Sequence, residues 1–199
     1  LIVLFMGELF ISKIRSIQFQ QAVGDRGPES HKVKDGTPTM GGLLIIGSVI
    51  FSSLLWGDFS NRFLLIALLC LFLFALLGFL DDYKKVKEKN SKGLSSWTKI
   101  SYQLLFASII STALYFCVFE SFELAYIVPF FKEVSLSLGL FFIPISIFII
   151  VGSSNAVNLT DGLDGLAILP VILITAALGL IAWAAGNTIV SEYLYIPYI

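Results

Sequence analysis

Two adjacent carboxylates, Asp81 and Asp82, directly follow an apolar run from Phe63 to Leu80. If that run is a helix, its carbonyl end carries the negative pole of the dipole, where carboxylates are disfavoured. A polar stop to the run, with Lys84 and Lys85 as counter-charges, is one explanation, although a lysine alone would do the same. A divalent cation with oxygen ligands, Mg²⁺ above all, is the other.

A second chemical motif is Asn155-Ala-Val-Asn158-Leu-Thr-Asp161-Gly-Leu-Asp164-Gly165, expected between two spans. Its Asn and Asp residues recur every third position, so neighbours share an edge of an α-helix and all four would align on a 3₁₀ turn. Gly162 and Gly165 allow the backbone to approach a ligand closely. Four Asn and Asp side chains in ten residues, without one base, suit a ligand better than a mere connector.

Basic residues follow the aspartates: Lys84, Lys85, Lys87, Lys89, Lys92 and Lys99. Where the helix continues beyond the membrane, Asp81, Lys85 and Lys89 share one face at i, i+4 spacing. Attraction to anionic lipid headgroups accounts for most of these lysines, leaving one or two to hold phosphates. A fourth stretch joins Gly27-Pro28-Glu29-Ser30-His31 to Lys34-Asp35-Gly36-Thr37-Pro38-Thr39-Met40-Gly41-Gly42. It reads as a shaped turn ending at a helix start, where an anion or nucleotide could meet a helix amino-terminus, a hydroxyl and Lys34. Close helix packing at Gly41 and Gly42 is the alternative, and the lone His31 is equally a loop hydrogen-bonder or a catalyst.

The elements that must position these residues follow from composition. The 199-residue chain is 57% hydrophobic and 14% charged, with mean hydropathy +0.89, against about 25% charged in soluble domains. Disorder is excluded, and a soluble globule is disfavoured. Five apolar stretches, Met40–Trp56, Phe63–Leu80, Ile100–Phe119, Leu138–Gly152 and Leu166–Ala184, follow a partial one at Leu1–Phe10. Backbone polar groups must be satisfied inside lipid, and the alternation of a membrane β-barrel is absent, so the spans should be helices. The expected architecture is an all-α polytopic membrane bundle, residues 1–199 forming one membrane unit of five full spans and a partial first one.

Eleven of the 13 basic residues fall in two linkers on the same side, Ser12–Thr39 and Asp81–Lys99, whereas the intervening linkers carry only Arg62 and Lys132. The positive-inside rule makes that side cytoplasmic. The Asn/Asp motif falls on it too, by alternation. Net charge is −1, and no nucleic-acid partner is expected. Cys70 and Cys117 lie in apolar runs without metal-ligand spacing and read as packing residues. Neither an inverted repeat nor a soluble domain is evident.

Carboxylates for Mg²⁺, lysines for phosphate and a polar loop on one membrane face fit phosphoryl transfer from a soluble activated donor to a lipid-borne acceptor. Such catalysis rests on positioning and on neutralising phosphate charge. A cation transporter is a contrasting reading, but it would place ionisable groups within the membrane rather than at span ends.

GPESH, GTPTMGG, GFLDDYKKV, KGL and NAVNLTDGLDGLA, in this order, closely resemble the phospho-N-acetylmuramoyl-pentapeptide transferases, the MraY family. GFLDDY alone would fit the wider superfamily of polyprenyl-phosphate sugar-phosphate transferases, including enzymes that use UDP-N-acetylhexosamine. The resemblance implies transfer of phospho-N-acetylmuramoyl-pentapeptide from UDP to undecaprenyl phosphate with Mg²⁺, giving lipid I and UMP. By motif, Asp81 and Asp82 match the catalytic pair, Asp81 engaging or deprotonating the lipid phosphate and Asp82 lying near metal and diphosphate. Lys34 and Thr39 match nucleotide-side contacts, while Asn155, Asn158, Asp161 and Asp164 belong to the loop around uridine and metal, with Asp161 as the second metal ligand. Lys85, Lys89 and Lys99 fall on basic positions suited to phosphates. The implied location is the bacterial inner membrane with the active face cytoplasmic, and a homodimer is compatible with the family. The family's roughly ten spans need far more chain than 199 residues, so the sequence is expected to be an amino-terminal and central portion, without the later metal-binding aspartate and the histidine cluster.

Overall fold

The computed structural model describes residues 2–16, 40–88, 93–119, 125–127, 135–161, 166–196 and 198. Helices dominate. In chain order they are α1 (Ile2–Ser16), α2 (Gly42–Trp56), α3 (Arg62–Glu88), α4 (Ser96–Phe119), α5 (Phe142–Thr160), α6 (Ile168–Ala185) and α7 (Thr188–Leu194). Four of them, α3, α4, α5 with its preceding 3₁₀ turn, and α6, are long and apolar enough to cross a bilayer. The chain is an all-α polytopic membrane protein.

Two strands were not anticipated from the sequence. β1 (Ala125–Ile127) pairs antiparallel with β2 (Ser135–Ser137) in the register Ala125↔Ser137, Tyr126↔Leu136 and Ile127↔Ser135. Three-residue strands are below the length at which period-two alternation is readable. Helix α2, at 15 residues, is about 22 Å long, short of the roughly 30 Å hydrocarbon core.

By its internal packing the chain forms two compact units, Leu1–Val151 and Gly152–Ile199. In the first, α3 and α4 form the principal helix pair. Helical periodicity places Phe74, Leu77, Asp81 and Lys85 along one face of α3, and Leu77 and Asp81 are its buried residues. The facing stripe of α4 is Gln103, Ala107, Ile110 and Ser111, all buried. Phe74 meets Phe106 edge-on, with ring centroids 6.4 Å apart. Small residues at 107 and 111 let the backbones approach, the usual solution where lipid removes the hydrophobic drive between helices. The Ser111 hydroxyl is buried without a hydrogen-bond partner among the described residues.

Local capping sets the helix ends. Asn61 Oδ1 accepts the Phe63 N–H at 2.9 Å before α3, and Ser95 Oγ accepts the Thr98 N–H at 3.2 Å at the start of α4. Such caps satisfy amides that a helix amino-terminus leaves open. In the second unit, α6 is exposed along almost its whole length, including Leu173, Ile174 and Leu180, an apolar surface that suits lipid contact. Asn187 caps α7 by accepting the Ile189 and Val190 N–H groups.

Ala107 is fully buried, so Ala107→Leu should overpack the α3–α4 seam at a cost of about 1–3 kcal/mol. In detergent its unfolding midpoint should fall clearly below that of the parent protein. Ile109→Leu, on an exposed face of the same helix, should leave the midpoint unchanged.

Candidate functional site

Helix α3 does not stop where its apolar run stops. It continues from Leu80 to Glu88, about 12 Å further, and carries the aspartate pair inside a helix rather than in the linker expected from the sequence. Consecutive helical residues point about 100° apart. Asp81 and Asp82 therefore occupy different surroundings although they are neighbours.

Asp81 is turned towards α4 and is 6% exposed. Its Oδ2 pairs with Lys85 Nζ at 2.7 Å and with Lys99 Nζ at 3.2 Å. Its Oδ1 accepts the Leu94 backbone N–H at 2.8 Å. Both oxygens are thus engaged by partners from α3, from the start of α4 and from the segment between them. Lys99 lies in the first turns of α4, where a helix dipole disfavours a cation. Asp81 compensates that charge, and charge-assisted bonds of this kind are the strong ones in a half-buried setting.

Asp82 is half-buried. Its Oδ1 lies 3.1 Å from Lys85 Nζ, which therefore bridges the two carboxylates, and among the described residues this is its only ion pair. The Asp82 side chain also borders a groove of about 190 Å³. Its other walls are uncharged and largely apolar, among them Leu43 and Ile46 of α2 and Phe74, Gly78 and Phe79 of α3. The ion pair of Lys84 with Glu88, at 3.8 Å and exposed, adds little in water.

The i, i+4 relation of Asp81 and Lys85 agrees with the sequence reading. Lys99 also joins the cluster. Lys34, Thr39, Lys89 and Asp164 lie outside the described residues. In the second unit, α5 extends to Thr160. The Asn/Asp motif thus begins on a helix, a correction to its placement in an inter-span linker, because hydrogen bonding persists through Thr160 Oγ1 to the Ala156 carbonyl and Asp161 N–H to the Val157 carbonyl. Asn155 is half-buried, whereas Asn158 and Asp161 are exposed on that unit.

Sequence reasoning passed over Gly93 and the Leu94 N–H. Gly93 has φ +59°, in the left-handed region that favours glycine. The signal available was KGL, a glycine just ahead of a helix start.

Residues 64–197 match the family model of glycosyl transferase family 4. The chain belongs to that family. Residues 34–46 match phospho-N-acetylmuramoyl-pentapeptide-transferase signature 1, the stretch that contains GTPTMGG, and support the same branch as the sequence resemblance. Together with its apolar helices, this makes the protein a multi-pass membrane transferase of the phospho-sugar class in peptidoglycan synthesis. The family match includes the Asp81 cluster and the Asn/Asp motif.

The carboxylates can be tested against a hard cation. Among the described residues no group of three or more His, Cys, Asp or Glu side chains could hold a metal. Asp82 alone offers a partly open carboxylate on the cluster, since Asp81 has both oxygens taken. One carboxylate plus substrate phosphates is a common way to bind Mg²⁺, so Asp82 fits that role and Asp81 does not in this arrangement.

Removing the Asp81 carboxylate leaves Lys85, Lys99 and the Leu94 N–H short of their common acceptor. Asp81→Ala should destabilise the protein by about 1–3 kcal/mol and lower its unfolding midpoint more than Asp82→Ala. Equal shifts for the two variants, measured by thermal unfolding in one detergent, would contradict the assignment of Asp81 as the structural centre.

Proposed function

We propose that this transferase moves phospho-N-acetylmuramoyl-pentapeptide from its UDP-linked donor to undecaprenyl phosphate, yielding lipid I and UMP. The observation that carries the reading is the division of labour between adjacent carboxylates, one saturated by lysines and one open beside an apolar groove. The matched signature supports the muramoyl-pentapeptide donor over a UDP-N-acetylhexosamine. The concentration of basic residues on one side supports the cytoplasmic face of the bacterial inner membrane as the place of reaction.

In this proposal a phosphate oxygen of the lipid attacks the sugar-bearing phosphorus of the donor. The bond from that phosphorus to the bridging oxygen breaks, and UMP leaves with that oxygen and its electron pair. Lys85 and Lys99 exchange part of their bonding to Asp81 for the incoming lipid phosphate. One Asp81 oxygen is thereby released to take the phosphate proton, so a single pair of lysines holds the acceptor and exposes its base. By their motifs, Asp82 would hold Mg²⁺ at the donor diphosphate oxygens, and Asp161 is the other candidate protein ligand. Mg²⁺, when bound, supplies charge neutralisation at those oxygens. Lys34, Thr39, Asn155, Asn158 and Asp164 bind the nucleotide side and Lys89 a phosphate, roles that rest on their motifs.

No side chain of the cluster is set up as a nucleophile with its own base, which favours direct transfer over a covalent intermediate. Oriented charge is commonly the largest catalytic contribution, and deleting one such group costs about 10²–10³ in rate.

With the complete protein in delipidated detergent, undecaprenyl phosphate and Mg²⁺, UDP-N-acetylmuramoyl-pentapeptide should be consumed with UMP release. UDP-N-acetylglucosamine should not, and the reverse preference defeats the branch assignment. Asp82→Asn should lower kcat by about 100-fold or more, whereas Lys87→Ala, at an exposed position outside the ion pairs, should stay within about threefold of the parent, the effect of a rim charge. Chelation of Mg²⁺ should stop UMP release and its return restore it.

A further inference from the structure

The Asp81 cluster closes around a backbone position that carries no side chain. A Cβ built on Gly93 would lie 2.5 Å from Asp81 Oδ1, 2.9 Å from Lys85 Cε and 3.1 Å from Asp81 Cγ. Its nearest neighbours are thus side-chain atoms of the cluster and not the backbone of either helix. At the same place, where φ is +59°, the following amide, Leu94 N–H, donates to Asp81 Oδ1 over 2.8 Å. The left-handed conformation and the missing Cβ serve one purpose, the approach of this segment to the Asp81 carboxylate.

We propose that Gly93 is a positioning residue for the transfer reaction. It acts through Asp81 and Lys85, by letting the Leu94 amide hold one carboxylate oxygen so that the other remains aligned on Lys85 and Lys99. The inference rests on the reading of this cluster as the phosphate-handling site. Any side chain at position 93 must displace the Asp81 carboxylate, the Lys85 stem, or both. Lys85 bridges to Asp82 at 3.1 Å, so the displacement reaches both carboxylates. The helices need not move, because the atoms that clash are side-chain atoms. Such a residue should govern turnover far more than assembly, since a misplacement of about 1 Å in a reacting constellation can cost 10²-fold in rate.

The test uses Gly93→Ala and Gly93→Asn in the complete protein, with undecaprenyl phosphate and UDP-N-acetylmuramoyl-pentapeptide as substrates. Asn tolerates a left-handed backbone better than Ala does but brings the same Cβ. Three quantities are read: the unfolding midpoint, kcat and KM for UMP release, and the rates at which Lys85 and Lys99 are acetylated by acetic anhydride, followed by peptide mass spectrometry. Both variants should remain folded, with midpoints lowered no further than that of Asp81→Ala. Their kcat should fall about 10- to 100-fold with KM changed less than threefold, and acetylation of Lys85 and Lys99 should accelerate severalfold while that of Lys87 does not.

Unchanged acetylation and unchanged kcat overturn the proposal. Full activity in Gly93→Asn with loss in Gly93→Ala also overturns it, since backbone conformation alone would then matter. If both variants unfold, the glycine serves the fold rather than the cluster, which overturns it as well. Faster acetylation with undiminished kcat is a different result: the geometry would be right and the assignment of the cluster to phosphate transfer would be wrong.

Discussion

The ion-paired Asp81 carboxylate is the constraint on which this cluster is built. One helix presents an ammonium where its own dipole makes it unwelcome, Lys99 in the first turns of α4, and the other buries a carboxylate, Asp81, two turns before the end of α3. Neither is stable half-buried beside a membrane by itself. Brought together over 3.2 Å, with Lys85 at 2.7 Å, each removes the other's penalty. The Leu94 amide completes the set. The α3–α4 packing below, through Leu77, Ala107 and Ile110, brings the two helix ends close enough for this exchange.

From that pairing follows the unequal treatment of neighbouring aspartates. A helix turns successive side chains about 100°, so pinning Asp81 inward leaves Asp82 at the groove edge. Among the described residues only Lys85 touches both. Charge brought to one carboxylate is therefore felt by the other through a shared cation. In the proposed transfer the two carboxylates take different duties, and the lysines are drawn from carboxylate to phosphate.

Much of this was legible in the sequence. Apolar runs long enough to span lipid mark the helices, and the Asp81–Lys85 spacing of four by itself places that pair on one helical face. Other parts required three dimensions. The reach of Lys99 to Asp81 spans eighteen residues and depends on how α3 and α4 dock. The continuation of α3 to Glu88 defeats a boundary drawn at the first charged residue, because Lys, Glu and their i, i+4 pairs support a helix as well as apolar residues do. The same error placed Asn155 and Asn158 in a linker when α5 carries them. Gly93 was visible only as a helix-start glycine, since a left-handed φ and a carboxylate at van der Waals distance leave no periodic trace. The β1–β2 ribbon is too short to have one.

In the proposed mechanism Asp81 holds lysines and accepts a proton but never carries a covalent intermediate, and isotope exchange tests this most sharply. Delipidated complete protein would be incubated with UDP-N-acetylmuramoyl-pentapeptide, Mg²⁺ and labelled UMP, first without and then with undecaprenyl phosphate. Direct transfer predicts no label in the donor until the lipid phosphate is added, and exchange thereafter. Label entering the donor in its absence, together with a phosphorylated Asp81 or Asp82 in the digested protein, would contradict it.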